Sequence, residues 1–138
     1  MNNIKFNDGM KSFSVNGDEN KKIYFNPSDY NILERFKTAF AQIENLETKY
    51  NETKKNNNRV METSIALDKE IKEAINYIFG SDVCTVAFGT TNCLSTAGGE
   101  PICVNFLNAV LPILEKEIKA EKEKSEKKIA KYTKQVKK

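Results

Sequence analysis

Short runs of alternating apolar and polar residues, separated by Asn-Asp-Gly and Asn-Gly turn sequences, occupy the first 25 positions of the chain. Such alternation is typical of strands with one buried face, so it predicts two or three short strands in a β-meander over residues 1–25. The apolar face would carry Phe6, Phe13 and Val15, with Ile23 or Phe25 as a further member. Because a sheet this small is not stable alone, we expect it to rest on helices. Its free edge could also pair with a neighbouring subunit.

Residues 26–79 switch to the three- and four-residue spacing of amphipathic helices. The sequence Asn-Pro-Ser-Asp predicts a helix start with Asn26 as its cap. That helix should reach about residue 54, where three consecutive asparagines predict a turn. A second helix is expected over residues 60–79, ended by Gly80. The resulting helical hairpin should bury Leu33, Phe36, Phe40, Ile43, Leu46, Tyr50, Met61, Ile65, Ile71, Ala74, Ile75 and Ile78.

An insert of small and apolar residues, positions 80–100, follows the second predicted helix. It contains four glycines and no basic residue. Within it, Val83–Gly89 predicts either a strand ending in a turn or an irregular loop held by Phe88 and Leu94. Connections of this length are often functional. The insert is therefore interpreted either as a plug for the end of the helical bundle or as an interface.

A proline opens a third predicted helix over residues 101–118. Pro112 lies inside that pattern and predicts a kink near Asn108. Residues 119–138 predict a Lys-rich helical tail with few apolar side chains. The sequence thus predicts a mainly helical α+β fold, with a single domain over residues 1–118. In it, a short antiparallel β-meander packs on a bundle of about three helices, and a long basic helix ends the chain.

Composition and charge narrow the classes of partner. The 138 residues are 39% hydrophobic, and no apolar run approaches the roughly 20 residues that cross a bilayer. With no secretory signal pattern either, we expect no membrane segment and a cytoplasmic location.

The charge is unevenly distributed along the chain. Residues 115–138 hold ten Lys against five Glu and so carry a net charge of +5. The rest of the chain carries −2, which gives the total of +3. Interleaved Lys and Glu favour a solvated helix first, an acidic protein partner second and nucleic acid last.

The sequence contains few residues in patterns typical of catalytic or metal-binding sites. It contains no histidine, and its three cysteines lack the paired spacing of zinc or redox motifs. We interpret the cysteines as small buried side chains, with a disulfide between Cys84 and Cys93 only if the insert folds back on itself. A carboxylate pair could come from Asp68, Asp82 or Glu100, but carboxylates beside lysines more often solvate a surface. We expect a non-enzymatic protein with no cofactor and no metal.

Six short segments of the sequence are distinctive as a set: Ile4–Asn7, Asn16–Asp18, Phe25–Tyr30, Ile78–Gly80, Ala87–Asn92 and Ala130–Thr133. Together they resemble segments of small proteins encoded by phages and prophages of Gram-positive bacteria. The resemblance implies a role in tail morphogenesis, as a tail-assembly chaperone that protects the apolar tape-measure protein until tail-tube subunits replace it. Members of that group carry a more polar central segment than residues 93–99 of this chain. The implied location is the host cytoplasm.

A chaperone of a helical client needs apolar grooves that exchange their contents, and an oligomer would shield those grooves between encounters. The expected contact residues are Val86, Phe88, Leu94, Phe106, Leu107 and Leu111. One alternative is a structural virion component, such as a tail-tube, connector or capsid-associated subunit, that assembles through the N-terminal strands and the 80–100 insert. Another is a nucleic-acid-binding regulator that uses the Lys-rich tail.

Overall fold

The computed structural model describes residues 1–56 and 59–136 and has a mainly helical α+β fold, as the sequence predicts. A short antiparallel hairpin precedes a pair of long helices, a short helix, a second very short hairpin and a long final helix. The elements are β1 (Lys11–Val15), β2 (Asp18–Phe25), α1 (Tyr30–Lys55), α2 (Val60–Phe79), α3 (Val83–Phe88), β3 (Thr96–Ala97), β4 (Glu100–Pro101) and α4 (Ile102–Val136). Their buried apolar side chains form one continuous core.

The N-terminal sheet is a hairpin of two strands. β1 and β2 pair with Phe13 opposite Ile23, and the turn between them places Asn16 and Gly17 at φ of 51° and 76°. Two consecutive positive φ angles give a turn whose twist matches that of the strands. The third strand predicted near Ile4–Phe6 is not formed, because this segment has no strand beside it, and Phe6 is exposed.

The first helix begins three residues later than predicted. Asp29 is the N-cap, and its Oδ1 accepts a hydrogen bond of 2.8 Å from the Asn31 amide. Asn26 instead closes a turn: its Oδ1 accepts from the Ser28 amide at 2.9 Å, and its side-chain amide donates to the Asp8 carbonyl at 3.0 Å. An asparagine side chain can accept a hydrogen bond from a backbone amide in a turn as readily as from one at a helix N-terminus. The sequence pattern therefore predicted the wrong N-cap residue.

Helices α1 and α2 form the predicted helical hairpin, and Gly80 ends α2 in the left-handed conformation at φ 69°. The predicted turn runs partly through residues 57–58, which lie outside the described residues. Across the hairpin, Arg35 Nε donates to the Ile78 carbonyl at 3.0 Å. This bond satisfies a carbonyl in the last turn of α2, which has no partner within the helix.

Two residues assigned to the buried side of α2 are exposed. Met61 and Ile65 lie at the surface, whereas the core side of this helix consists of Leu67, Ile71, Ile75, Ile78 and Phe79. Met61 and Ile65 each lie six residues before a buried position, which is about 240° around the helix axis. Their apolar character therefore does not place them on the core side.

The insert folds mainly as a short helix and a very short hairpin. Both alternatives for Val83–Gly89, a strand and an irregular loop, are therefore wrong, because Val83–Phe88 is helical. Asp82 caps α3, because its Oδ1 accepts from the Thr85 amide at 3.2 Å and its Oδ2 from the Thr85 hydroxyl at 2.6 Å. Phe88 and Leu94 are buried, as the loop alternative expected.

The final helix, α4, begins at Ile102 and continues without a break to Val136. The predicted third helix and the predicted tail are therefore parts of one helix. Its first half packs on the core through Leu107, Val110 and Leu114, and residues 121–131 are exposed. Pro112 lies inside it, and the kink near Asn108 stays a prediction.

Replacing Ile75 by alanine should strongly destabilise the fold, because its side chain is 0% exposed in the middle of the core. Loss of a buried isoleucine side chain typically lowers the free energy of unfolding by about 2–5 kcal/mol. Ile65→Ala is the matched control on the same helix, where the side chain is 50% exposed, and it should change this free energy by roughly 0.5 kcal/mol or less. Urea denaturation followed by circular dichroism measures both, and equal effects of the two variants would contradict the assignment of the core.

Candidate functional site

A chain of phenylalanine rings joins the N-terminal hairpin to three helices. Phe13 stacks on Phe25 with ring centroids 4.6 Å apart, and Phe25 meets the edge of Phe79 at 5.0 Å. Phe79 lies 6.2 Å from Phe106, which meets Phe88 at 5.5 Å and an interplanar angle of 74°. These rings come from β1, β2, α2, α4 and α3, so five elements converge on one aromatic cluster.

An open groove lies beside this cluster, between the hairpin, α3, β3 and the first half of α4. Its volume is about 450 Å³, and four of the five clustered rings line it. The remaining lining residues are mostly aliphatic, and they include Ala97, Ala109 and Ile113. No lining residue is charged. The groove is thus suited to apolar groups, with neither a base nor a nucleophilic thiol on its walls.

Polar groups occur at three positions of the groove: Ser14, Asn16 and Asn105. The side-chain amide of Asn105 donates to the Ala97 carbonyl at 3.0 Å, which ties the short β3–β4 hairpin to α4. A site with few polar groups in an apolar wall selects for shape and hydrophobicity more than for charge.

Two of the predicted contact residues, Phe88 and Phe106, lie where the sequence analysis expected a groove. Both line it, although the Phe88 side chain is largely buried and Phe106 is half-buried. Their edge-to-face contact fixes the orientation of both rings.

The other four predicted contact residues lie elsewhere. Leu94 and Leu107 are buried in the core, Leu107 at 0% exposure, so neither presents a surface. Val86 and Leu111 are half-buried against the core and do not line the groove.

Sequence reasoning missed the groove residues contributed by the hairpin and by the second face of α4. Phe25 and Phe13 were expected only to rest on helices, yet both also line the groove. On α4 the missed positions Ile102, Ala109 and Ile113, together with the expected Phe106, recur every three or four residues. That spacing could have indicated a second apolar face of α4. It was not recognised because these positions lie next to the fully buried positions of the same helix.

The loop after α3 is held on α2 by polar side chains. Asp68 Oδ1 accepts from the Cys93 amide at 2.8 Å, and Lys72 lies 3.2 Å from the Asp68 carboxylate and donates to the Thr91 carbonyl at 2.9 Å. Asn92 donates to the Ser64 hydroxyl at 2.8 Å. These bonds satisfy main-chain groups of the loop and hold it against α2.

The candidate carboxylates have separate structural partners. Asp68 holds the loop, and Asp82 caps α3, where the hydrogen bond from the Thr85 hydroxyl lowers the pKa of the Asp82 carboxyl. Glu100 is exposed in β4. In the described parts of the chain, no group of three or more His, Cys, Asp or Glu side chains is placed to hold a metal ion.

All three cysteines are free and buried, as small apolar side chains would be. Burial raises the pKa of the Cys84 thiol to about 12, and the charge of Asp82 adds to this effect. The hydrogen bond with Cys103 and burial both raise the pKa of the Cys93 thiol. The same hydrogen bond lowers the pKa of Cys103, which is nevertheless shielded from solvent.

The three thiols should therefore resist an aromatic disulfide reagent in the native protein at pH 8, because reaction needs an exposed thiolate. Labelling should occur only as fast as the protein opens, and all three should react at once in denaturant. Absorbance of the released thiolate measures the rate, and mass spectrometry identifies the site. Rapid native labelling of any one cysteine would contradict its burial.

Comparisons with known proteins leave the chain without an assigned family. No protein-family model, no curated protein and no solved structure matches it. None of the described helices is both long enough and apolar enough to cross a membrane.

Proposed function

We propose that this chain is a non-enzymatic phage tail-morphogenesis protein, a tail-assembly chaperone that binds an apolar segment of the tape-measure protein. The observation that supports this most is the open groove of about 450 Å³ with no charged residue on its walls. The resemblance of several short segments to phage and prophage proteins supplies the biological setting.

The groove suits a segment of polypeptide whose side chains are apolar on one side. Phe88 and Phe106 form an aromatic wall, and Ala109 leaves space beside them because its side chain is small and exposed. An amphipathic helix can place its apolar face in such a groove, which is a common way for helical peptides to bind. The walls are preformed by the core, so binding would not require the groove to be built first.

The charged end of α4 adds a second feature expected of a partner-binding protein. Residues 115–138 carry a net charge of +5, and the described side chains of residues 121–131 are exposed. A basic helix of this kind would attract an acidic client and increase the rate of encounter. In this proposal, the protein acts in the host cytoplasm, and tail-tube subunits later displace it from the client.

A structural virion component is the second candidate, and the N-terminal hairpin is what favours it. Among the residues that the structure describes, its strands pair only with each other, so a neighbouring subunit could extend the sheet. Mass spectrometry of purified particles separates the two functions. The chaperone should be absent from the particles, and a stoichiometric amount of this chain in them would favour the structural role.

Blocking the groove should abolish client capture. Ala109→Arg places a long charged side chain in the groove without removing any buried group, because Ala109 is an exposed lining residue. We expect co-expressed tape-measure fragments to co-purify with the wild-type chain and not with this variant. Quantitative affinity purification measures the ratio of fragment to chaperone.

Ala41→Arg is the matched control, since Ala41 is an exposed alanine on α1 outside the groove. It should capture the fragments as the wild-type chain does. Equal capture by the Ala109→Arg and Ala41→Arg variants would show that the groove is not the binding site for the client. Failure of the wild-type chain to capture any fragment would overturn the proposed function.

A further inference from the structure

The first six residues, here called the N-terminal arm, carry apolar side chains that nothing in the described chain covers. Ile4 is 89% exposed and Phe6 73% exposed. Their spacing places both on the same side of an extended segment. Two large apolar side chains on one side of an exposed arm indicate a surface that is buried elsewhere.

The base of the arm directs it away from the groove of its own chain. Lys11, at the start of β1, donates to Glu117 of α4 at 2.9 Å, so the preceding residues lie beside the later turns of that helix. Residues 7–10 line a polar hollow with Glu121 and Lys124. The groove uses α4 only up to Ile113, and Glu121 lies about 12 Å beyond that residue along the helix.

Local hydrogen bonds hold the base of the arm, residues 7–10, in place. The Asp8 carbonyl accepts from the Asn26 side chain at 3.0 Å, and the Gly9 and Met10 amides donate to Asn7 Oδ1 and Asp8 Oδ1 at 3.0 and 2.9 Å. Gly9 has a φ of 74°, and a Cβ there would lie 2.6 Å from the Asn26 side chain. These bonds hold the residues that precede β1 beside Asn26, next to the polar hollow on the later turns of α4.

The groove has two features that would bind an extended apolar segment, a free strand edge and apolar walls. The consecutive residues 13–16 all line it, so β1 runs along one wall. β1 pairs only with β2 in the described chain, which leaves the main-chain groups of its other edge for a further strand. Aromatic side chains of both the hairpin and the helices are present to receive apolar side chains.

We propose that the N-terminal arm of one copy of this chain binds in the groove of a second copy, where it adds a strand beside β1 and inserts Ile4 and Phe6. The arm then supplies between chains the third strand that the sequence pattern predicts and the single chain does not form. This self-association does not depend on the proposed chaperone function. If both hold, the arm and the client compete for one groove.

Sedimentation velocity of the purified full chain over a range of concentrations tests the proposal. The wild-type chain should associate, and the double variant Ile4→Asp, Phe6→Asp should dissociate more readily, by roughly tenfold for each buried side chain that is lost. Met61→Asp with Ile65→Asp is the matched control, because both residues are exposed apolar positions on α2, and it should associate as the wild type does. A monomeric wild-type chain at every concentration, or unchanged association of the arm variant, would overturn the proposal.

A mixing experiment separates arm exchange from any other interface. The arm variant retains an intact groove, and Ala109→Arg blocks the groove while retaining an intact arm. Each should associate more weakly alone than the wild-type chain does, and a tagged form of one should capture the other when they are mixed. Absence of that capture would contradict the arm-to-groove contact. Because no client is present, these results are independent of whether tape-measure fragments bind.

Discussion

The aromatic cluster of Phe13, Phe25, Phe79, Phe88 and Phe106 is the interaction on which the arrangement of this protein depends. Apart from it, the hairpin is tied to α4 by the Lys11–Glu117 ion pair, whose side chains are 48% and 25% exposed. Such a solvent-exposed pair contributes little to stability, because water and salt screen it. Each aromatic contact adds about 0.5–1.5 kcal/mol beyond the burial of its surface. The rings, together with the buried Ile23 and the packed Val15, therefore hold the hairpin on the helices far more than this ion pair does.

The groove is a consequence of how the cluster is built. The rings hold the hairpin against α3 and the start of α4, and the space between β1 and α4 is left open because small side chains such as Ala97 and Ala109 border it. Larger side chains at these two positions would fill that space. The same contacts that stabilise the fold thus leave apolar surface exposed to solvent.

The loop after α3 is the second constraint, since it helps to position Phe88 at the groove. An apolar loop exposes main-chain groups that need partners when it packs on a helix. Asp68 and Lys72 on α2 provide partners for the loop, and Asn76 Oδ1 accepts from the Cys84 amide at 3.0 Å in α3. These polar residues of α2 therefore hold the insert in place, and with it the Phe88 ring that lines the groove.

Local sequence patterns predicted the parts of this fold that depend on local physics. The two helices α1 and α2 and the Gly80 helix end were confirmed because each depends on residues within a few turns, although Met61 and Ile65 of α2 were assigned to the wrong side. The Val83–Gly89 segment was misassigned because its β-branched residues favour a strand, whereas the cap at Asp82 and the bonds to α2 favour a helix. Only Phe88 and Phe106 of the groove were expected, since its walls come from residues far apart in the chain.

The central claim is that the groove binds an apolar polypeptide segment. Methyl NMR of the full chain, titrated with an apolar helical fragment of a tape-measure protein, tests it most directly. We predict that the methyl signals of Ala97, Ala109 and Ile113 in the groove shift, while those of the buried Ile71 and Ile75 hold their positions. No shifts, or shifts confined to residues outside the groove, would contradict the account.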